Sequence, residues 1–340
     1  MRNVTWLPPR VWWLLAVGVV AVLLFNWGWV SGLPGRFGSL GGASPTPADS
    51  VASPAGQGPA PIARAAPGVA VVSGRIYLVG GTADGQLSAV EEYNPQSNTW
   101  RTLSNLGGGR TGLAAAAASN GRLYAVGGWT TGPLGTVEEY DPSANRWTRK
   151  AELPTPRAQI GLAALGYRLY AVGGWGGYLA TVEEYDVTTD RWTRRTSLSQ
   201  EREGLGVVAG ADGRIYAIGG RNAGGYVGTV EAYDPATDTW TGRSQMPTAR
   251  GWAGVATTAD GRILVAGGTG PVGVLDVVEE YQPATDSWRR VAPLSRPRGF
   301  LALARAATGR LFAFSGLGTD RKLLKLVEEY DPATDQWRVR

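Results

Sequence analysis

The 340-residue chain contains no histidine and no cysteine. That removes disulfides, thiol nucleophiles, Ser-His-Asp triads, and the usual zinc, copper and iron ligand sets. No metal or cofactor is expected, and chemistry falls to carboxylates, arginines and aromatic rings. Three carboxylate pairs, Glu138-Glu139, Glu183-Glu184 and Glu279-Glu280, are the residue type that glycoside hydrolysis uses. They recur as parts of a repeat, and neighbouring strand residues face opposite sides, so no catalytic residue is assigned from them. Glu203 and Arg221 lie outside these pairs. Around them in sequence lie Trp129-Thr130-Thr131, Trp175-Gly176-Gly177-Tyr178, Arg221-Asn222-Ala223-Gly224-Gly225-Tyr226, Trp252 and the charged Asp320-Arg321-Lys322. Exposed aromatics beside Arg and Asn suit stacking on sugar rings or anchoring a peptide. The candidate binding residues are therefore Trp129, Trp175, Tyr178, Glu203, Arg221, Asn222, Tyr226 and Trp252, and the expected partner is a protein or a carbohydrate.

These residues hang on a repeat. Tyrosine precedes tryptophan by 7 residues at Tyr93/Trp100, Tyr140/Trp147, Tyr185/Trp192, Tyr233/Trp240, Tyr281/Trp288 and Tyr330/Trp337. Between them lies Asn-Pro or Asp-Pro, as in Asp141-Pro142-Ser143-Ala144-Asn145, a type I turn signal in which proline pre-sets φ and the acidic side chain caps the turn. Each unit opens with an arginine (Arg64, Arg110, Arg157, Arg202, Arg250, Arg298) and a run of small apolar residues. A tight turn such as Ser73-Gly74, Asn120-Gly121 or Asp212-Gly213 follows, read as a two-residue hairpin with positive φ angles. A β-rich run then ends in two glycines, such as Gly80-Gly81 and Gly219-Gly220, weakened to Ser315-Gly316 in the last unit. Because the arginines recur at one structural position, they read as framework bonded to backbone carbonyls rather than as a cationic ring for an anion.

Tryptophan to the next arginine is always 10 residues, whereas the span from second glycine to tyrosine ranges from 11 to 14. Variation concentrates in the loop joining the second and third strands, and loops free to vary on a rigid scaffold are where binding usually resides. A period of 45 to 49 residues with four short strands per unit predicts an all-β, six-bladed β-propeller over residues 64–340. The paired glycines, Tyr and Trp at these offsets resemble the kelch motif in six consecutive copies. The resemblance implies that the glycines sit where the second strand passes close to its neighbours and that each Tyr and Trp packs between blades. Many kelch proteins complete one blade from both termini, whereas here each unit is whole, which leaves ring closure open. The resemblance also includes copper-radical galactose oxidases, whose His ligands and Tyr–Cys crosslink this chain cannot supply. Kelch-type sugar epimerases or mutarotases stay open through residues such as Glu203 and Arg221.

Ahead of the repeat, residues 11–30 carry no charge and are long enough for a membrane-spanning helix, with Trp12 and Trp13 at one end, Trp27 and Trp29 at the other, and Arg2 and Arg10 before it. Residues 1–30 are thus expected to be a cytoplasmic tip and anchor, residues 31–63 a Gly/Pro/Ala/Ser-rich linker, and the propeller extracytoplasmic; secretion after signal cleavage is the alternative. From residue 64 onward 30 basic residues face 27 acidic ones, so no nucleic-acid partner is expected. A monomer is expected. The functional expectation is a tethered binding module recognising its partner through the variable loops, with a sugar-isomerising enzyme as the alternative.

Overall fold

A computed structural model of the chain describes residues 61–340. The expected span at residues 11–30 and nearly all of the 31–63 linker lie outside the described residues; among those described, no helix is long and apolar enough to cross a membrane. Six four-stranded antiparallel sheets follow one another along the chain, each built from one contiguous segment and ordered sequentially. Blade one comprises Gly68–Val72, Arg75–Val79, Val90–Asn94 and Thr99–Leu103, and blade four Gly206–Ala209, Ile215–Ile218, Val230–Asp234 and Thr239–Arg243. Blades two, three, five and six occupy 114–149, 161–195, 254–291 and 302–339. The innermost strands of successive blades pack side by side, and that of blade six packs against that of blade one.

Each repeat signal has a visible physical task. Apart from a leading arginine in blades one and three, the second strands are buried because both faces pack between blades, so they are apolar runs such as Ile215-Tyr216-Ala217-Ile218. Tyr233 pairs across strands with Trp240, their rings 5.1 Å apart, and the other five Tyr/Trp pairs repeat this register. The tyrosines are fully buried, whereas the tryptophans are only partly so, at the outer rim. There they clamp the next blade to the last. The Thr196 amide donates to Asp238 at 3.0 Å and its carbonyl accepts the Trp240 indole N–H at 2.9 Å. The same pair of bonds recurs at Ser104, Ala151, Ser244 and Ala292. In the double glycine, the second amide donates to the carbonyl of the next blade's arginine, as Gly220 does to Arg250 at 2.9 Å. A Cβ on Gly219 would stand 2.5 Å from that same oxygen.

Closure needs no shared strand. Between blades six and one, Gly316 donates to the Arg64 carbonyl at 2.9 Å. Phe314 packs edge-on against Tyr93 and Trp100 at 5.4 and 5.7 Å. Elsewhere the inner-strand turns differ from the expected two-residue form. Only Ser73-Gly74 has both φ angles positive; at Asn120-Gly121, Asp212-Gly213 and Asp260-Gly261 the glycine alone does. Gly121 donates to Ala118, and Ala118 to Arg122, which is a type I turn closed by a left-handed glycine. The Asn120 side chain caps it by accepting from the Arg122 amide, a bond that favours this longer turn.

Candidate functional site at the channel mouth

At one end of the propeller each repeat arginine is followed by a residue that pairs with the one after the double glycine: Ala65 with Thr82, Thr111 with Trp129, Ala158 with Trp175, Glu203 with Arg221, Gly251 with Thr269 and Gly299 with Leu317. Six loops therefore leave the blades at the same end, and Trp129, Trp175 and Arg221 occupy equivalent positions in three of them. Blade four adds a short hairpin, Arg221–Asn222 with Gly225–Tyr226.

One residue further on, the chain builds a belt. Ala66, Gly112, Gln159, Gly204, Trp252 and Phe300 all have φ between 50° and 61°. Each amide donates to the carbonyl of the preceding member: Gly112 to Ala66, Gln159 to Gly112, Gly204 to Gln159, Trp252 to Gly204, Phe300 to Trp252, and Ala66 back to Phe300, at 2.7 to 3.3 Å. The cycle runs once around the channel and includes the junction between blades six and one.

The side chains of this belt cap the channel. Trp252 lies across Gly204, where a Cβ would stand 2.6 Å from the indole. Its N–H donates to Gln159 Oε1 at 2.9 Å, two blades away, and Phe300 stacks on it at 5.1 Å. Trp252 was expected as an exposed contact and is instead buried, 7% exposed. Gln159 and Phe300 were not foreseen; both stand two residues after a repeat arginine, as Trp252 does.

Beside this cap is Glu203, 5% exposed, whose carboxylate makes no hydrogen bond or ion pair within the described residues. Burial pushes its pKa up to about 7, against the opposing charge of Arg221. Arg221 sits over the Tyr226 ring at 5.8 Å, and Tyr226 meets the Trp252 edge at 6.0 Å. From blade three, Tyr178 packs edge-on against Trp175 at 4.8 Å. Burial and the Glu203 charge raise the Tyr178 phenol, and the same two causes, opposed by Arg221, act on Tyr226. The structure thus gathers Trp175, Tyr178, Glu203, Arg221, Tyr226 and Trp252. It does not bring Asn222 or Trp129 into this cluster: Asn222 caps its own turn by accepting from the Gly224 amide, and Trp129 pairs through its backbone with Thr111 in blade two. A carboxyl near neutrality, a guanidinium and two phenols can bind hydroxyl groups or move a proton between ligand oxygens.

The repeat arginines are framework, and their partners include the carboxylates that sequence set aside. Arg157, fully buried, donates to Glu183 at 2.8 Å and to the Ala171 and Thr181 carbonyls. Five more pairs match it: Arg64–Glu91, Arg110–Glu138, Arg202–Glu231, Arg250–Glu279 and Arg298–Glu328. The second glutamate of each pair turns to the other strand face and meets different cations, Glu184 with Arg195 and Glu280 with Arg262 and Arg289.

Comparison with known proteins places the repeat. The family model described as Kelch motif matches residues 63–107, 110–154, 156–199, 206–247 and 254–295. No curated protein matches the chain. Among solved structures, one titled "Structure of YjhT" is similar at a TM-score of 0.71 and 17% identity, covering 82% of this chain and 98% of that one, a likeness of fold.

Proposed function

Since the chain belongs to the kelch-repeat family of β-propellers, we propose that it is a binding module whose ligand is a glycan, seated at the channel mouth against Trp175, Tyr178, Glu203, Arg221 and Tyr226. The observation that carries this reading is Glu203. A carboxyl largely buried without a protein partner costs stability, so its retention beside a guanidinium and aromatic rings favours a ligand that supplies the missing bonds. Aromatic faces next to such groups suit a sugar ring better than a flat protein surface. Calorimetric titration of the full-length chain with a glycan panel tests it. A ligand should bind, and Tyr226→Ala should weaken it by about 1–3 kcal/mol; a panel with no binder, or binding indifferent to Tyr226, sinks the proposal.

A second reading follows from the same carboxyl. With a pKa of about 7, Glu203 is poised to give and take protons on a bound sugar while Arg221 steadies developing oxyanion charge. NMR of anomer exchange in any glycan that binds separates the two: exchange lost in Glu203→Gln supports the enzyme, and binding without exchange leaves the module. We further propose that residues 11–30 tether the propeller outside the membrane, on the strength of their charge-free length and flanking tryptophans.

A further inference from the structure

Blade six departs from its sisters at the loop between its second and third strands. Across the six blades these loops hold four basic residues, Arg221 in blade four and Arg321, Lys322 and Lys325 in blade six. The blade-six loop is a hairpin: Gly318 donates to the Lys322 carbonyl at 3.0 Å, Arg321 to the Gly318 carbonyl at 3.1 Å, and Leu317 bridges to Leu323. Its three cations are exposed. Among the described residues Arg321 and Lys325 have no carboxylate partner, and Lys322 reaches only its neighbour Asp320, at 3.9 Å. A fourth cation comes from the linker into the blade. Arg298 pairs with Gly318 in an antiparallel register, which, continued by two residues, sets the exposed Arg296 level with the hairpin tip at Asp320.

Two neighbours decide what such a patch suits. The blade-five hairpin packs beside it: a Cβ on Gly299 would stand 3.4 Å from Val274, and Gly299 itself pairs with Leu317. At the tip of that hairpin Val272, 89% exposed, is the most exposed large apolar side chain among the described residues. Within blade six the cations flank the half-buried Leu323 and Leu324. An acidic polysaccharide or a nucleic acid, hydrated along its length, has no use for a bare valine, whereas a bilayer surface takes cations at its headgroups and apolar tips just beneath them. The other neighbour is the entry of the chain. The Ile62 amide donates to Glu91 at 3.2 Å and the Arg64 carbonyl accepts from Gly316, so the segment leading back to residues 11–30 joins the propeller beside the base of the blade-six hairpin. We propose that the blade-five and blade-six hairpins form a docking surface for an anionic lipid bilayer, with Arg296, Arg321, Lys322 and Lys325 on the headgroups and Val272 inserted among them. The blade-six edge of the mouth end then lies against the membrane. This surface rests on the tether proposed above for the nearness of the bilayer, and on the two hairpins for the contact.

Lysine labelling reads this surface directly, because Lys150, Lys322 and Lys325 are the only lysines of the chain. Lys150, in blade two beside Glu139 and Asp190, is the internal reference. The full-length chain is placed in nanodiscs of phosphatidylcholine alone or with about 30% phosphatidylglycerol, and acetylation of each lysine is followed by mass spectrometry. Lys322 and Lys325 should react at least about threefold more slowly in the anionic discs, the protection fading at about 0.5 M salt, with Lys150 unchanged. Arg296→Glu combined with Arg321→Glu changes two exposed side chains, so it should fold and abolish the protection while keeping both labelled lysines; should it not fold, Arg321→Gln alone reads the same loss in part. Val272→Ser, which leaves the charge unchanged, should also reduce the protection. A chain that does not enter the discs fails the tether alone, and phosphatidylglycerol vesicles added to that soluble chain then put the same question to the hairpins. Equal labelling in the two lipids, protection that survives salt or either variant, or protection by heparin and not by phosphatidylglycerol would overturn the assignment.

Discussion

Glu203 follows a repeat arginine at a position where the other blades carry Ala65, Thr111, Ala158, Gly251 and Gly299, none of which titrates. Its raised pKa has a consequence for stability that can be signed. Below the ordinary glutamate value the side chain is neutral both folded and unfolded; above it the unfolded chain loses the proton while the folded chain keeps it until about 7. The contribution of the neutral group is therefore full at acid pH and is lost as pH rises through about 7, by on the order of 2–3 kcal/mol. Glu203→Gln, which cannot ionise, should gain that amount relative to the parent between about pH 5 and about pH 8 in urea melts. A pH-independent difference would mean that the carboxyl is hydrated or paired. Trp252 acts at the same scale but through packing. Because it is buried against Gly204 and Phe300, Trp252→Ala should cost about 3–5 kcal/mol of folding stability. Trp129→Ala and Trp175→Ala, on half-buried loop positions, should cost well under half of that; equal losses in thermal melts would make those loop tryptophans inter-blade packing.

Among the elements, what holds one blade to the next is visible in sequence only where it repeats as residue type. The Tyr/Trp spacing and the double glycine recur as letters, and both mark inter-blade contacts. The belt recurs only as backbone. Ala66, Gln159, Trp252 and Phe300 share no side-chain chemistry and are poor candidates for a left-handed conformation, which a closed cycle of bonds imposes on them. Hence Trp252 was legible as a mouth residue but not as a cap, and Gln159 and Phe300 were silent. The junction of blades six and one is a further case. At the other five junctions a linker Leu or Met packs with the last residue of a second strand, Leu106 with Val79, Leu153 with Val126, Leu198 with Val172, Met246 with Ile218 and Leu294 with Ala266. At the sixth, Phe314 brings the bulk, clustered with Ile76, Tyr93 and Trp100. Phe314→Val should therefore cost about 1–3 kcal/mol and speed amide exchange at Ala66 and Gly316, whose bonds cross this junction, before Gln159 and Gly204. Uniform acceleration around the belt would show that the ring opens elsewhere or as one unit.

At the scale of the whole molecule, the charged part of the mouth cluster falls on blade four, where Glu203 and Arg221 stand at positions that the other blades fill with neutral residues. A ring of near-identical blades is a scaffold in which departures stand out, since each framework position is filled five more times for comparison. The propeller was legible because six copies agree; the candidate site was legible only in part because it depends on where single copies differ. The proposed tether rests on the charge-free stretch at residues 11–30. Twenty consecutive residues without a charge, all but Asn26 apolar, partition into a bilayer far more strongly than a surface-bound helix or a single lipid chain would. The full-length protein should thus sediment with membranes, resist salt and alkaline washing, and be freed only by detergent. Placing an arginine at Val20, near the middle of the stretch, should shift a large share of the protein out of the membrane fraction, because a central charge costs about 2.5–3.5 kcal/mol on insertion scales. Recovery of a chain in the soluble fraction whose intact mass lacks the first thirty or so residues would replace the tether with secretion, leaving the proposed mouth site untouched.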